Sequence, residues 1–422
     1  MDEPLDSVAN LIYEYLYGEI LSDASFENPP SSKLAEIAQG VVELSSLYTR
    51  QRRWLSPELL KNSSLRNAYL AYFLPCNLVK VRRIFQEILA HPKGALHFAG
   101  HRRLLDIGCG PGTNLLAFLS LLAEGTVRTD SVECVALDSV RANLQDAQHL
   151  FSLYTERLKP TKNIASLGTY RAELMRPHSL SLDGSFDLVV FGNILNELFL
   201  GRKDRIEKRC ELVTACAQKW LATDGFLILL EPALKETSRE LLLLRDCLLD
   251  RTDLRVYAPC VHNLHCPAVA PENDSDWCHE DRSWNPPRLI QAIDGLVGNR
   301  KDSLKYSYAV FNRIGLSVAE AAHGQARNRR NSSAAGAKID SQSGSQVWRV
   351  VSERLEEKGK SSAYFCGPEG RARVTRLRKH GSENNQDFDE LARGQVVLTN
   401  GLKMKSISDW RVEAKTVVKD LM

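Results

Sequence analysis

The feature that most constrains the fold is a glycine-rich segment, Leu104–Asn114, with the sequence LLDIGCGPGTN. It follows a short apolar run typical of a buried strand and precedes an apolar stripe with helical spacing. Glycine at positions Gly108, Gly110 and Gly112 lets the backbone turn sharply and approach a ligand without a Cβ in the way. The segment therefore predicts the first strand, loop and helix of a doubly wound α/β domain that binds a ligand at the loop.

The carboxylates around this loop indicate which ligand it binds. Its glycine spacing departs from the Gly-x-Gly-x-x-Gly that holds a pyrophosphate, and it lacks the Lys-Ser/Thr of a phosphate loop. Asp106 would repel a diphosphate but suits the cationic methionine end of S-adenosylmethionine. A second strand is predicted to end at Asp138, whose carboxylate can accept hydrogen bonds from ribose hydroxyls. Asp138 could instead only cap the following helix. Together, Asp106, the three glycines and Asp138 predict an S-adenosylmethionine site.

Strands and helices alternate beyond the loop, which predicts a class I methyltransferase Rossmann-like doubly wound sheet. Further regions are an N-terminal helical region, a Cys-rich metal-binding insertion and a small C-terminal β domain. We place the helical region at 1–97, the cofactor domain at 98–255 and the Cys-rich region at 256–320. A flexible Ser/Ala/Gly/Arg-rich insertion follows at 321–346, and a basic β domain occupies 347–422.

Catalytic residues are not identifiable. Transfer to an exocyclic amine typically uses an Asn/Asp-Pro-Pro-aromatic element after the fourth strand. Here the strand ending at Phe191 is followed by Gly192-Asn193-Ile194-Leu195, without prolines. Asn193 either lines the cofactor pocket or caps the next helix. The sequence therefore predicts cofactor binding and leaves methyl transfer open.

Cysteines are concentrated after the Rossmann region, at Cys260, Cys266 and Cys278, with Cys366 further along. Thiols in proline-rich, non-helical chain make good metal ligands. Four thiolates suit either a structural zinc ion or an iron–sulfur cluster, and the spacings match neither a zinc ribbon nor a ferredoxin. In a zinc site, nearby histidines could replace thiolates: His262, His265 and His279. Ordinary free cysteines are the remaining interpretation.

The distribution of charge along the chain, and the composition of its first residues, indicate what kind of partner it binds and where in the cell we expect it. Residues 321–380 contain 13 Lys/Arg and 5 Asp/Glu in a chain of net charge +3, which favours a polyanionic partner or a solvated basic stretch. A row of basic residues lies in and beyond a predicted strand: Arg371, Arg373, Arg376, Arg378 and Lys379. Apolar runs are too short for a membrane span, and the acidic start lacks a leader. We therefore expect no membrane and a bacterial cytoplasmic location.

Several motifs coincide in an order that is specific. They are Tyr72–Pro75, Leu105–Thr113, Asp187–Leu198, Leu230–Ala233 with Arg245 downstream, Pro259–Pro267, and Ser307-Tyr308. In these the chain resembles the methyltransferase-like small-ribosomal-subunit assembly family, which comprises a mitochondrial small-subunit protein and its bacterial relatives. The insertion Ala321–Gln346 departs from that pattern, and Leu391–Gly394 keeps it weakly.

This resemblance implies a four-iron–four-sulfur cluster on Cys260, Cys266, Cys278 and Cys366, with zinc as the alternative. It also implies S-adenosylmethionine at the glycine loop and association with small-subunit ribosomal RNA and ribosomal proteins. A mitochondrial location becomes the alternative to the bacterial cytoplasm. The expected function is a methyltransferase-like factor of the small subunit, with methylation of ribosomal RNA as one activity. The alternative is a small-molecule or protein methyltransferase with a structural zinc site.

Overall fold

The computed structural model describes residues 3–18, 32–52, 59–91, 93, 100–127, 129–157, 165–175, 182–322, 345–367 and 370–421. The chain divides into two compact units. Unit 1 comprises 1–86, 97–234 and 282–304, and unit 2 comprises 87–96, 235–281 and 305–422. Most of the predicted flexible insertion, 321–346, lies outside the described residues. Among the helices of the described residues, none is long and apolar enough to span a membrane.

Unit 1 contains five parallel strands in the order β3-β2-β1-β4-β5. They are β1 (His101–Ile107), β2 (Ser131–Asp138), β3 (Ala165–Arg171), β4 (Phe186–Gly192) and β5 (Leu221–Pro232). The helices that connect them are α5 (Thr113–Ala123), α6 (Arg141–Arg157) and α7 (Arg205–Trp220). Chain order reverses beside β1, so the ends of β1 and β4 flank the switch point where ligands bind in open α/β sheets.

The apolar runs of the sequence explain these strands. Five of the seven residues of β4 are buried, in the near-continuous pattern typical of a parallel strand covered on both faces. β5 spans twelve residues, and those from Phe226 to Glu231 are all buried. The unit has the class I methyltransferase-like α/β fold that the sequence predicts.

Helices form the N-terminal part of unit 1, as predicted. They are α1 (Glu3–Tyr17), α2 (Ser32–Thr49), α3 (Ser63–Ala68) and α4 (Leu74–Leu89). A π-helical turn, Tyr69–Phe73, joins α3 to α4 just before Pro75, which has no N–H to donate. The four helices share a core with α9 (Arg288–Val297), a helix of the same unit.

The first long helix of unit 2 is α8 (Lys235–Arg251). The unit also contains an antiparallel pair of strands, β6 (Arg255–Ala258) and β8 (Ser303–Asn312). The residues of β8 from Lys305 onward belong to unit 2. A short strand, β7 (Glu280–Ser283), pairs with β8. The unit also contains a second sheet with the path β14-β15-β12-β11-β9-β13-β16, in which β10 pairs with β11. Its strands are β9 (Ser345–Val350), β10 (Leu355–Glu357), β11 (Lys360–Gly367), β12 (Gly370–Leu377), β13 (Val396–Asn400), β14 (Lys403–Ser406), β15 (Asp409–Val412) and β16 (Val417–Asp420).

Aromatic packing and one buried arginine organise unit 2. Trp348 is fully buried, meets Trp410 edge to face at 5.5 Å and donates to the Thr399 hydroxyl over 2.8 Å. The neighbouring Arg349 is 2% exposed, and its Nη2 lies 3.0 Å from carboxylate oxygens of both Glu87 and Glu280. A buried guanidinium is stable only when it is paired in this way. The pairing ties β9 to β7 and to the end of α4.

Candidate cofactor and metal sites

All three glycines of the cofactor loop adopt conformations that other residues rarely reach. Gly108, Gly110 and Gly112 have φ values of 70°, 52° and 87°. A Cβ on Gly108 would lie 2.5 Å from the Ile194 side chain, so this glycine is required by packing. A Cβ on Gly110 would meet nothing within 4 Å. The backbone at Gly110 is therefore the part of the loop that a ligand can approach closely.

Asp106 is a fully buried carboxyl with half of its hydrogen-bonding capacity unused. The Asn114 amide donates to its Oδ1 over 2.7 Å, and its Oδ2 has no hydrogen-bond partner among the described residues. Burial raises the pKa of Asp106 to about 7. A cationic ligand group at this position would satisfy the free oxygen and hold the carboxylate in its charged form.

Asp138 shapes the loop from the end of β2. Its Oδ2 accepts from the Gly110 N–H over 2.9 Å, and its Oδ1 accepts from the Val140 N–H and the Asn143 amide. Burial raises the pKa of this carboxyl as well. Asp138 thus does more than cap the following helix, because it joins the glycine loop to the chain after β2.

Asn193 has the left-handed conformation, with φ of 59°, and its N–H donates to the Leu230 carbonyl over 2.7 Å. The 3-10 turn that follows has Ile194 at its N-cap position, without a side-chain cap. The turn is held by side chains: Arg52 donates to the Asn196 side chain over 2.7 Å, and Arg209 donates to the Leu198 carbonyl. The segment after β4 is therefore held next to the glycine loop, where the Ile194 side chain packs against Gly108.

Three further residues near this edge were not predicted as site residues. Glu231 is 2% exposed at the end of β5, accepts from the Leu195 N–H over 3.0 Å, and has a pKa raised to about 8 by burial. Burial also raises the pKa of Glu197 to about 7 and that of Tyr69 to about 12. Glu231 ends a parallel strand, as Asp138 does, and that position is the sequence signal that could have identified it.

All four cysteines expected to bind metal line one cavity of about 40 Å³ in unit 2. Cys260 follows β6, Cys266 and Cys278 lie in the loop before β7, and Cys366 lies in β11. They are free thiols. Within the described residues, no group of three or more His, Cys, Asp or Glu side chains is arranged to hold a metal ion. The structure brings the predicted thiols together and does not by itself define a metal geometry.

Cys266 is buried, the other three cysteines are half-buried, and the thiols are close enough to affect one another. Burial and the neighbouring Cys260 raise the pKa of Cys278 to about 12. The same causes raise the pKa of Cys266 and of Cys366. Crowded buried thiols favour the neutral form unless a cation accompanies them.

Buried N–H donors complete the cavity wall. Arg245 Nε, Trp277 Nε1, Arg371 Nε and His262 Nε2 have no hydrogen-bond partner among the described residues. His262 Nδ1 accepts from the Leu264 N–H, so its Nε2 carries the proton. His279 also lines the cavity, whereas His265 is 69% exposed and pairs with Asp250. The wall thus combines thiols, which can bind a metal ion, with N–H groups, which can donate to a hydrogen-bond acceptor.

The predicted basic row is not a free cationic face. Arg371 and Arg373 alternate with buried residues along β12, as expected, but they form ion pairs with Asp276 and Glu357. Arg376 is 6% exposed and pairs with Asp389. Two residues of the row remain exposed, in the 3-10 turn after β12: Arg378 and Lys379. Aspartate and glutamate side chains of the same unit neutralise the other three arginines of the row.

Comparison with protein families identifies one match. The family model described as mitochondrial small ribosomal subunit Rsm22 matches residues 63–389. No curated protein matches the chain.

Solved structures similar to the chain include the following three. An arsenic(III) S-adenosylmethionine methyltransferase from Chlamydomonas reinhardtii has 16% identity and a TM-score of 0.27, over 50% of this chain and 62% of that one. NSun6 from Pyrococcus horikoshii has 10% identity and a TM-score of 0.32, over 54% and 51%. Precorrin-6y C5,15-methyltransferase from Geobacter metallireducens has 13% identity and a TM-score of 0.29, over 55% and 85%. The chain covers less than two thirds of the first two proteins. The class I methyltransferase-like fold of unit 1 is identified by its strand order together with the glycine loop that follows β1.

Asp106 makes the stability of the ligand-free protein depend on pH. Its pKa is about 7 in the folded chain against an ordinary value of 3.8, so its contribution is complete below about pH 4 and is lost as the pH rises through 7. Between pH 6 and pH 8 this group alone lowers the free energy of unfolding by about 1.4 kcal/mol. We expect Asp106→Asn to remove that part of the decline in urea unfolding at the two pH values. Asp130→Asn, at an exposed position, is the control. Equal declines in wild type and Asp106→Asn would contradict the assignment.

Proposed function

The chain belongs to the Rsm22 family of mitochondrial small ribosomal subunit proteins, and on that premise we propose that it is a small-subunit assembly factor that binds S-adenosylmethionine and an iron–sulfur cluster. The observation that carries the proposal is the convergence of Cys260, Cys266, Cys278 and Cys366 on one cavity in a chain of this family. The family description supports a mitochondrial location over the bacterial cytoplasm.

The cofactor assignment is supported by the polarity of the loop region. S-adenosylmethionine carries a sulfonium and an ammonium group, and the residues that would receive it are acidic. Asp106 has an unpartnered buried oxygen, Glu231 is a second buried carboxyl with an unpartnered oxygen, and the space beside Gly110 is open. Asp106 would hold the cationic end, Asp138 the ribose, and Asn193 the edge of the pocket. When bound, the cofactor supplies an electrophilic methyl group.

A second candidate, an RNA methyltransferase, is favoured by one residue. Glu197 lies in the turn after β4, within electrostatic reach of Asp138, and has a pKa of about 7. A carboxyl of that pKa can accept a proton near neutral pH. Glu197 is the residue to test if transfer is found.

Binding and transfer can be separated with labelled cofactor and small-subunit particles. We expect saturable binding of S-adenosylmethionine that weakens by about tenfold or more in Asp106→Ala, since this substitution removes a charge-assisted interaction. Binding without incorporation of label into RNA is the result expected of an assembly factor. If label is incorporated into RNA and Glu197→Gln abolishes that incorporation, the assembly-factor proposal gives way to the RNA methyltransferase. Absence of S-adenosylmethionine binding would contradict the cofactor assignment.

The metal assignment is supported by the chemistry of the donor set. Four thiols match the ligand number of a four-iron cluster, and hydrogen bonds to sulfur are a usual feature of such sites. The unpartnered N–H groups of Arg245, Trp277, Arg371 and His262 are available for them. When bound, a cluster supplies one-electron redox chemistry and joins four points of the chain. The alternative, a small-molecule or protein methyltransferase with structural zinc, predicts a colourless protein with zinc and no ribosome association.

Removal of one thiol tests the metal assignment. We expect Cys366→Ala, purified without oxygen, to lose most of its iron and its visible absorbance and to unfold at a lower temperature than wild type, because a cluster contributes to folding only when its ligands are complete. Cys134→Ala, at a buried cysteine in β2, is the control for loss of a thiol in general. Full iron content in Cys366→Ala, or zinc in place of iron in wild type, would overturn the iron–sulfur proposal.

RNA binding is proposed at a surface that we term the basic corner: Lys358, Arg378, Lys379 and Lys415. These residues are exposed and have no ion pair within the described part of the chain. Three backbone positions bring them together: the Arg378 N–H donates to the Gly359 carbonyl, the His380 ring lies 3.3 Å from the Val412 carbonyl, and the Ser382 hydroxyl donates to the Ala414 carbonyl. A compact group of unneutralised cations suits a phosphate backbone.

Charge reversal at the basic corner tests RNA binding. We expect Lys379→Glu with Lys415→Glu to weaken binding of small-subunit RNA uniformly across sequences. The slope of log affinity against log salt should become shallower by about 0.7–0.9 for each phosphate that the double variant no longer neutralises. Lys203→Glu, at an exposed lysine of unit 1, is the control. An unchanged salt dependence in the double variant would exclude this surface.

A further inference from the structure

The cysteine-bearing loop, 259–279, has little regular structure of its own. It contains one short 3-10 turn, Pro267–Val269, and few backbone hydrogen bonds. Backbone carbonyls in such a segment need partners from elsewhere. In this loop the partners are largely side chains of α8, which lies beside it in unit 2.

Arg239 holds the second half of the loop. Its Nη1 lies 2.7 Å from the Ala268 carbonyl oxygen, 2.7 Å from that of Asn273 and 2.6 Å from that of Asp276. One guanidinium therefore fixes the stretch that leads into Cys278. The Cys278 carbonyl in turn accepts from the Ser307 hydroxyl over 3.0 Å.

Arg245 and Asp246 hold the first half. Arg245 is 1% exposed; its Nη1 donates to the Leu264 carbonyl over 2.8 Å and its Nη2 to the His262 carbonyl over 2.9 Å. Asp246 pairs with Arg245 and accepts from the Cys266 N–H over 2.9 Å. The chain between Cys260 and Cys266 is thus fixed by one adjacent pair of side chains.

These residues lie on one face of the helix. Positions 238, 239, 242, 245 and 246 recur at the spacing of a single α-helical face. Leu242 on that face packs against Cys266 and Ala268. Arg245 also lines the thiol cavity, and its Nε has no partner within the described residues. Thiolates that bind metal carry negative charge, and the buried guanidinium of Arg245 is a positive charge in the same wall.

We propose that this face of α8 is a template that preforms the metal site, in which Arg239 and Arg245 are positioning residues and Arg245 also supplies a positive charge that faces the bound group. The proposal rests on the metal site proposed above. It predicts that the loop is ordered before metal arrives and that the two arginines differ in one respect. Loss of Arg239 loosens the loop, whereas loss of Arg245 loosens the loop and changes the electrostatics of the site.

Four variants separate these roles: Arg239→Met, Arg245→Met, Arg245→Lys and, as control, Arg255→Met at an exposed position of β6. In the metal-free proteins we expect amide exchange of residues 259–279 to be faster in the first three and unchanged in the control. After anaerobic reconstitution, we expect iron affinity to fall by about tenfold or more in Arg239→Met and Arg245→Met. The reduction potential should shift to a lower value in Arg245→Met alone, and Arg245→Lys should restore it.

The possible outcomes test the proposed function, the positioning role of the two arginines and the charge role of Arg245 separately. A wild-type protein that takes up no iron contradicts the proposed function, while the exchange measurement still tests the template. Wild-type iron binding with unchanged exchange, affinity and potential in the arginine variants overturns the inference. If Arg245→Met does not fold, Arg245→Lys and Arg239→Met decide the positioning role. A reduction potential in Arg245→Lys that is as low as in Arg245→Met would refute the charge role.

Discussion

The buried ion pair network of Arg349 is the interaction on which the convergence of the four thiols depends. Arg349 stands opposite Cys366 in the β9–β11 register, and its guanidinium binds Glu280, two residues after Cys278. Glu87 and Tyr308 complete the network. Since breaking one partner of a buried pair costs about 3–5 kcal/mol, the second sheet has one favourable position relative to β7. That position brings the fourth thiol to the other three.

The two candidate sites differ in the kind of buried polar atom that has no hydrogen-bond partner among the described residues: acceptors in unit 1 and donors in unit 2. In unit 1, the carboxylates of Asp106 and Glu231 keep unpartnered oxygens, and burial raises the pKa of both. In unit 2, Arg245 and Trp277 keep unpartnered N–H groups beside four thiols. Buried polar atoms are rarely left unsatisfied in folded proteins. The unpartnered carboxylate oxygens therefore suit a cationic ligand in the first site, and the unpartnered N–H groups suit a hydrogen-bond acceptor, such as metal-bound thiolate sulfur, in the second.

The local part of the fold could be predicted from the sequence, because it depends on local physics. Three features are visible without a structure: the apolar runs that lead to the glycine loop and to Asp138, the glycines of that loop, and cysteines in proline-rich chain. The rest depends on contacts between distant residues. Arg376 is indistinguishable from Arg378 in the sequence, yet the first is buried against Asp389 and the second is exposed. Likewise, the template role of α8 depends on which loop lies beside the helix, and periodicity carries no such information.

The position of Cys366 in β11 has a consequence for the order of events during synthesis. Three of the four thiols leave the ribosome well before the fourth, and strand pairing on both sides of β11 fixes the position of Cys366. Domains fold largely in the order in which they are made. A chain interrupted before the second sheet would carry an ordered but incomplete ligand set. Metal acquisition would then report that synthesis of the chain has passed the strands that carry and flank Cys366.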